Sequence, residues 1–220
     1  MKFTNYEYDL NCDINIGLNY IVVENHKLFR IMIEELRYQI LNGDGKYILS
    51  NDNDDIDLHK KSKLITDPFE LEINKSSFLK NVYHDLKDIS EDEFFYERTL
   101  ELQNVINQFL SELINEYELE LEYENKLDIS KFMKAIDLKI IGEHESFLDR
   151  IVIYIKSINM LLGIKYFFFI NLSTYLEKEE IEEFRKECEY NEHIVVLIEN
   201  KYYNNGNEVA LIDNDLCRVI

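Results

Sequence analysis

Apolar residues fall into two rhythms along this chain. Short unbroken runs suit strands covered on both faces, and three- and four-residue steps suit amphipathic helices. The first run is YIVV at 20–23. After Glu24 and Asn25 the steps turn helical, with Leu28, Phe29, Met32, Ile33 and Leu36 on one face. That predicts strand, short turn, helix. Residues 42–63 are polar and turn-rich, with a short strand expected at 47–49. From Ser76 to about Asn115 the period is helical again, with Asn74 or Ser76 as the cap. Two helices are expected there, broken near DISED at 88–92. Asp128 or Ser130 caps a further helix that turns Phe132, Met133 and Ile136 inward.

The last third is more apolar. ESFLDRIVIYIKSINMLLG (145–163) reads as a helix, and KYFFFINL (165–172) as a strand buried on both faces. Lys156, Lys165 and a Gly-Ile-Lys turn interrupt the stretch, which argues for a buried helix and strand rather than a membrane span. Ser173 or Thr174 is expected to cap YLEKEEIEEFRKECEY, whose early glutamates suit a helix N-terminus. HIVVLIEN (193–200) is a second buried strand. Strand, helix, strand with tight connections is a βαβ unit, so the pairing is parallel. EVALIDND and LCRVI are expected to close the chain as short strands. The expected fold is α/β, a mainly parallel sheet with flanking helices. Residues 1–64 and 139–220 form its head domain, and 65–138 an inserted, extended α-helical lobe.

Composition narrows the function classes. The 220 residues carry a formal charge of −20, which repels nucleic acid unless the basic groups gather on one surface. Fifteen Tyr and thirteen Phe are too many for a solvated coil. Cys12, Cys188 and Cys217 lie far apart in no metal-binding spacing, a reduced, cytoplasmic pattern. The N-terminus has neither a basic nor an apolar leader segment, so no signal peptide is expected. No phosphate loop follows the first strand: ENHKLF has no Gly, and Glu24 would repel a phosphate. GDGK at 43–46 follows a helix instead and reads as a turn. NDNDDIDLH fails as an EF-hand loop. If Asn53, Asp55 and Asp57 began one, Leu58 would stand where Gly is required and Leu64 where the bidentate Glu belongs.

NEYELELEYENKLD (115–128) is the segment whose chemistry asks for an explanation. Glu116, Glu118, Glu120, Glu122 and Glu124 alternate with Tyr117, Leu119, Leu121 and Tyr123, with Asp128 close behind. As a strand, the glutamates share one face at steps of about 6.7 Å. As a helix, Glu116, Glu120 and Glu124 stack, at a cost of roughly 0.2–0.5 kcal/mol per contact. A fully solvated row tolerates either arrangement. The interleaved apolar residues, however, ask for burial on the opposite side, and a half-buried acid row wants cations. Calcium suits it, because calcium takes carboxylate and carbonyl oxygens in flexible geometry. No His or Cys is present there to recruit zinc.

These features join a pattern. NYIVVENHKLFRIMIEEL, LITDPFELEINKSSFLKNVYHDL, ELELEYENKLDISKFMKAIDLKI, FFFINLSTYLEKEEIEEF, HIVVLIENK and ALIDNDLCRVI occur in this order across nearly the whole chain. The series resembles the small, non-nuclease adaptation protein of type II-A CRISPR systems. The resemblance implies an α/β domain related to nucleotide-binding P-loop-like folds but without the phosphate loop, and so no nucleotide. It implies a homotetrameric ring, held in its DNA-binding shape by calcium, that takes linear double-stranded DNA through free ends without sequence preference. The implied partners are the CRISPR integrase subunits and the RNA-guided effector nuclease, and no enzymatic activity or membrane is implied. Carried to this chain, the calcium ligands would come from Glu118, Glu120, Glu122, Glu124 and Asp128. Lys131, Lys134, Lys139, Lys60, Lys61 and Lys63 are the candidates for phosphate contact, since such contacts need Lys or Arg.

Two other classes compete. One is a metal-dependent nuclease of the α/β class using Glu199, Lys201 and Asp213, since such enzymes need paired acids to hold the metal. The other is an acidic protein-interaction module that binds no DNA.

Overall fold

The computed structural model describes residues 1–51, 54–141, 146–203 and 208–219. Asn53, Glu145 and Ile220 of the readings above lie outside the described residues. The chain divides into two compact units, Met1–Glu72 with Gly142–Ile220, and Ile73–Ile141. The first unit runs β1 (Lys2–Asn5), β2 (Leu10–Asp13), β3 (Gly17–Val23), α1 (His26–Asn42), β4 (Ile48–Asn51), β5 (Asp54–Ile56), α2 (Leu58–Lys61) and β6 (Ser62–Ile65). The second holds α3 (Ser76–Ser90), α4 (Tyr96–Asn115) and α5 (Ile129–Ala135). The first resumes with α6 (Phe147–Leu162), β7 (Tyr166–Ile170), α7 (Lys178–Tyr190), β8 (Ile194–Glu199) and β9 (Glu208–Ile212).

The apolar runs become a five-stranded sheet in the order β6-β7-β8-β3-β9, with every pairing parallel. Every residue of β3 and β8 is buried. This is why those stretches read as unbroken hydrophobic runs rather than as alternation. One face carries Ile21, Val23, Phe168, Val196 and Ile198 into a core with Met32, Leu36 and Ile40 of α1. On the other face Phe169 meets Phe184 of α7 edge-on, with ring centroids 6.4 Å apart. α1 starts where expected: the Asn25 side chain accepts from Leu28 N, and the helix ends on Gly43 in the left-handed conformation.

A second sheet, antiparallel in the order β2-β1-β4-β5, was not anticipated at the N-terminus. Its signal was short: in β2, Leu10 and Cys12 point inward while Asn11 and Asp13 face solvent. It joins the main core through Phe3, whose ring stacks on Tyr47 and tilts against Phe168, each with centroids 5.3 Å apart.

Three local expectations are corrected. The α7 cap is Glu177, not Ser173 or Thr174. Leu172–Thr174 forms a 3-10 turn, and Glu177 and Glu180 make a reciprocal capping box. Ser76 is the first residue of α3 rather than its cap, and Asn74 pairs with Ile140 N and O instead. LCRVI is not a strand over its described residues. Asp213 Oδ1 accepts from Asp215 N and Cys217 N, and Leu216 takes a positive φ of 65°, leaving one bridge between Ile212 and Arg218. Residues 65–72 belong with the first unit, where Phe69 stacks on Phe147 at 4.9 Å and meets Tyr175 edge-on at 5.0 Å. No described helix is long and apolar enough to cross a membrane.

In the second unit, α3 and α5 pack together. Ser130 Oγ donates to Tyr83 O at 3.2 Å, and Tyr83 Oη to Leu138 O at 2.9 Å. α4 buries none of its residues within the chain. Leu102, Val105, Phe109 and Leu113 recur at helical steps and all are exposed, Phe109 at 62%.

Candidate metal site and nucleic-acid interface

The acid row is neither strand nor helix. Residues 116–124 form turns and irregular backbone between α4 and α5. They are tethered near their C-terminal end, where Tyr123 Oη donates to Asn107 O at 3.1 Å, and Leu127 N donates to Gln103 Oε1 just beyond. All five glutamates are exposed. The expected burial of the opposite side holds only for Tyr123, which is half-buried. Tyr117, Leu119 and Leu121 are exposed, Leu119 at 66%. The reason is local: Tyr123 has hydrogen-bonding neighbours on α4, whereas the other three project from a loop and stay more than half exposed.

Among the described residues, no three His, Cys, Asp or Glu side chains come together to hold a metal ion. The loop spreads Glu118, Glu120, Glu122 and Glu124 along its length. Asp128 has a different duty: it caps α5, accepting from Lys131 N at 3.1 Å. That backbone N–H, with the nearby Lys131 ammonium, holds its carboxyl below the usual aspartate value. The described residues of the single chain therefore offer no pre-formed calcium cage, and Glu118, Glu120, Glu122, Glu124 and Asp128 do not fit the ion in this arrangement.

The six expected lysines separate by location. Lys131, Lys134 and Lys139 belong to the helical unit. Lys131 pairs weakly with Asp128 at 3.8 Å, and Lys139 pairs with Asp137 at 2.6 Å. Lys134 is exposed and makes no ion pair among the described residues. Lys60, Lys61 and Lys63 belong to the α/β unit, and each has a structural account. Lys60 pairs with Asp57 at 3.2 Å. A Cβ added at Gly163 would lie 3.7 Å from Lys61 Nζ, which puts this ammonium at the C-terminal end of α6, where a helix favours a cation. Lys63 is exposed on β6, an edge strand, where a charge discourages pairing with other chains.

Sequence reasoning missed a basic groove in the helical unit. It runs between α3 and α5 with a volume of about 950 Å³. Lys80, His84, Lys131 and Lys134 line it beside half-buried Leu79 and Tyr83. Its acid, Asp137, is engaged by Lys139. The i, i+4 spacing of Lys80 and His84 was the available signal, but only tertiary packing sets that face against α5.

The acids of the nuclease reading are not assembled. Glu199 ends β8 fully buried, with 0% exposure, and its Oε1 accepts from Ser173 N at 3.0 Å and Ser173 Oγ at 2.8 Å. Oε2 has no hydrogen-bond partner among the described residues. Burial pushes this carboxyl up to about 7, against the opposing pull of the Ser173 bonds. Asp213 is occupied by its own turn, and the Lys201 ammonium sits 5.6 Å from the Tyr203 ring centroid. After β3, the first donors of α1 meet the side chain of Asn25, whose amide also donates to Asn214 O at 3.0 Å.

Comparison with known proteins gives the same direction as the fold. The family model described as CRISPR-associated protein (Cas_Csn2) matches residues 39–216. The CRISPR-associated protein Csn2 of Enterococcus faecalis is 24% identical over 152 residues, 69% of either chain. The match runs from the end of α1 through the helical unit to the turn after β9, and so takes in the acid row, the lysines and most of the parallel sheet. The chain belongs to the Csn2 family of CRISPR-associated proteins.

Proposed function

We propose that this protein, a CRISPR adaptation protein by family, is a non-enzymatic, ring-forming binder of linear double-stranded DNA ends that acts without sequence preference in spacer acquisition. The observation that carries the reading is the family match over residues 39–216. The exposed stripe on α4 supports self-association, here as a homotetramer. Leu102, Val105, Phe109 and Leu113 form a helical apolar face that this chain leaves uncovered. A ring would repeat each lysine around one opening, which lets an acidic subunit hold a polyanion. Lys131, Lys134, Lys139, Lys60, Lys61 and Lys63 are the proposed contacts. The integrase subunits and the RNA-guided effector nuclease are the proposed protein partners, in the cytoplasm. Calcium is proposed only for the assembled form, because the single chain holds no converged acid site among its described residues.

The test uses one duplex sequence in linear and covalently closed circular form, with calcium and then with chelator. Retention of the linear form alone, without cleavage, is the expected result. Equal retention of both forms would replace the threaded ring with a surface binder. Retention of neither would favour the acidic interaction module, and cleavage with magnesium or manganese the nuclease. Loss of binding in chelator is the expected sign of calcium dependence.

A further inference from the structure

The chain carries 44 acidic residues to 24 lysines and arginines, yet the α3/α5 groove reverses that balance. Three lysines and His84 line it against a single acid, Asp137, which Lys139 already engages at 2.6 Å. We propose that this groove is a phosphate-binding site for DNA, in which Lys80 and His84 act beside Lys131 and Lys134. The cations stand in two pairs, one on each wall. Lys80 and His84 are about one turn apart on α3, a rise of about 6 Å, and Lys131 and Lys134 are three residues apart on α5. A phosphate laid along the groove therefore meets positive charge from both sides. Half-buried Leu79 and Tyr83 also line it and give the carbon face of a sugar an apolar surface.

Little holds these cations elsewhere. Lys80 and Lys134 are exposed and have no ion-pair partner among the described residues. His84 meets Asp88 at 3.6 Å and Lys131 meets Asp128 at 3.8 Å, both at the surface. Exposed pairs of this kind are worth little, so a phosphate displaces them at small cost. Phosphate contacts position a duplex without reading its bases, which suits binding without sequence preference. The inference rests on the DNA-binding reading above and deepens it. It adds two residues of α3 and joins Lys131 and Lys134 to them in one site. It draws on none of the carboxylates of 116–124, which stay with the proposed calcium.

The test is fluorescence anisotropy of the full chain on linear duplex in calcium, as a salt series, with solution mass measured in parallel. Lys80→Gln and Lys134→Gln should each flatten the slope of log affinity against log salt by about 0.9 for every copy of the groove in contact, and the double variant by twice that. The double variant should bind at least tenfold more weakly at about 50 mM salt. His84→Lys puts a permanent cation where one exists only on protonation, and should steepen the slope. All three positions are solvent-exposed and lie outside the acid row, so the fold and the calcium ligands are left intact. Duplexes with 5′-phosphate and 5′-hydroxyl ends distinguish the source of the phosphate. A preference for the phosphorylated end that Lys80→Gln abolishes places the terminal phosphate in the groove, and an equal change on both duplexes places the backbone there. Wild-type slopes in every lysine variant, with linear DNA still retained, would overturn the site, leave the DNA reading intact and give the groove to an acidic protein segment. No DNA retention by the wild type would overturn both. A loss of binding that follows a fall in assembled mass would make these lysines assembly contacts and overturn the phosphate site.

Discussion

Glu199 is the residue whose environment departs furthest from what its sequence context suggests. IENK reads as a polar strand end, yet the carboxyl is fully buried with one oxygen held by Ser173 and the other without a partner among the described residues. Burial raises its pKa from the ordinary 4.5 to about 7. The folded state therefore keeps a proton that the unfolded state releases between these values. Its contribution to stability is complete below about 4.5 and is lost as pH rises to about 7. The loss amounts to about 3 kcal/mol for this shift. Urea unfolding of the wild type and Glu199→Gln from pH 4.5 to 8 measures it. The variant should lack this loss, so the wild type should fall relative to it as pH rises, and parallel curves would refute the assignment. At the same scale Asp128 shows that a carboxylate beside an acid row need not be a ligand, because its oxygen serves the first turn of α5.

At the scale of elements, the two rhythms of the sequence led to different outcomes. Runs buried on both faces became strands of one sheet, since only a parallel sheet covered on each side uses such runs fully. The helical rhythm of α4 located the helix but not its partner. Ile106, Leu110 and Ile114 are half-buried, whereas Leu102, Val105, Phe109 and Leu113 face outward in the single chain. If that face seats a second copy, Val105→Ser with Phe109→Ser should shift the solution mass toward the monomer by at least tenfold in dissociation constant. Helical circular dichroism should stay unchanged, since Val105 and Phe109 are both exposed in their own chain. An unaltered mass in light scattering would move the interface elsewhere.

At the scale of the whole molecule, charge is the governing quantity. A chain with 44 acidic and 24 basic residues would approach DNA against its own net field, so the proposed binding requires lysines concentrated by assembly. Phosphate contact releases counterions, giving a slope of about −0.9 per phosphate in log affinity against log salt. For roughly six or more contacts, affinity should fall by about a thousandfold or more between about 50 and 200 mM salt. A titration series by fluorescence anisotropy checks this, and a flat response would exclude backbone contact as the source of affinity.

The sequence by itself determined the alternation of buried strands and helices, the start of a helix just after Asn25, the absence of a phosphate loop after the first strand, and the family. Each of these rests on short-range chemistry: a run length, a spacing of a few residues, a side chain that reaches its own backbone. Only the tertiary structure decided the rest. It added the N-terminal antiparallel sheet, whose strands of three or four residues carry too little alternation to read. It moved the α7 cap to Glu177 by folding Leu172–Thr174 into a 3-10 turn. It set Lys80 and Lys134, 54 positions apart in the sequence, along one groove, and left the glutamates of 116–124 exposed in a loop. The physical reason is that a side chain's partner across the fold depends on how distant elements pack. No local pattern encodes the distance between a carboxylate and the cation that neutralises it.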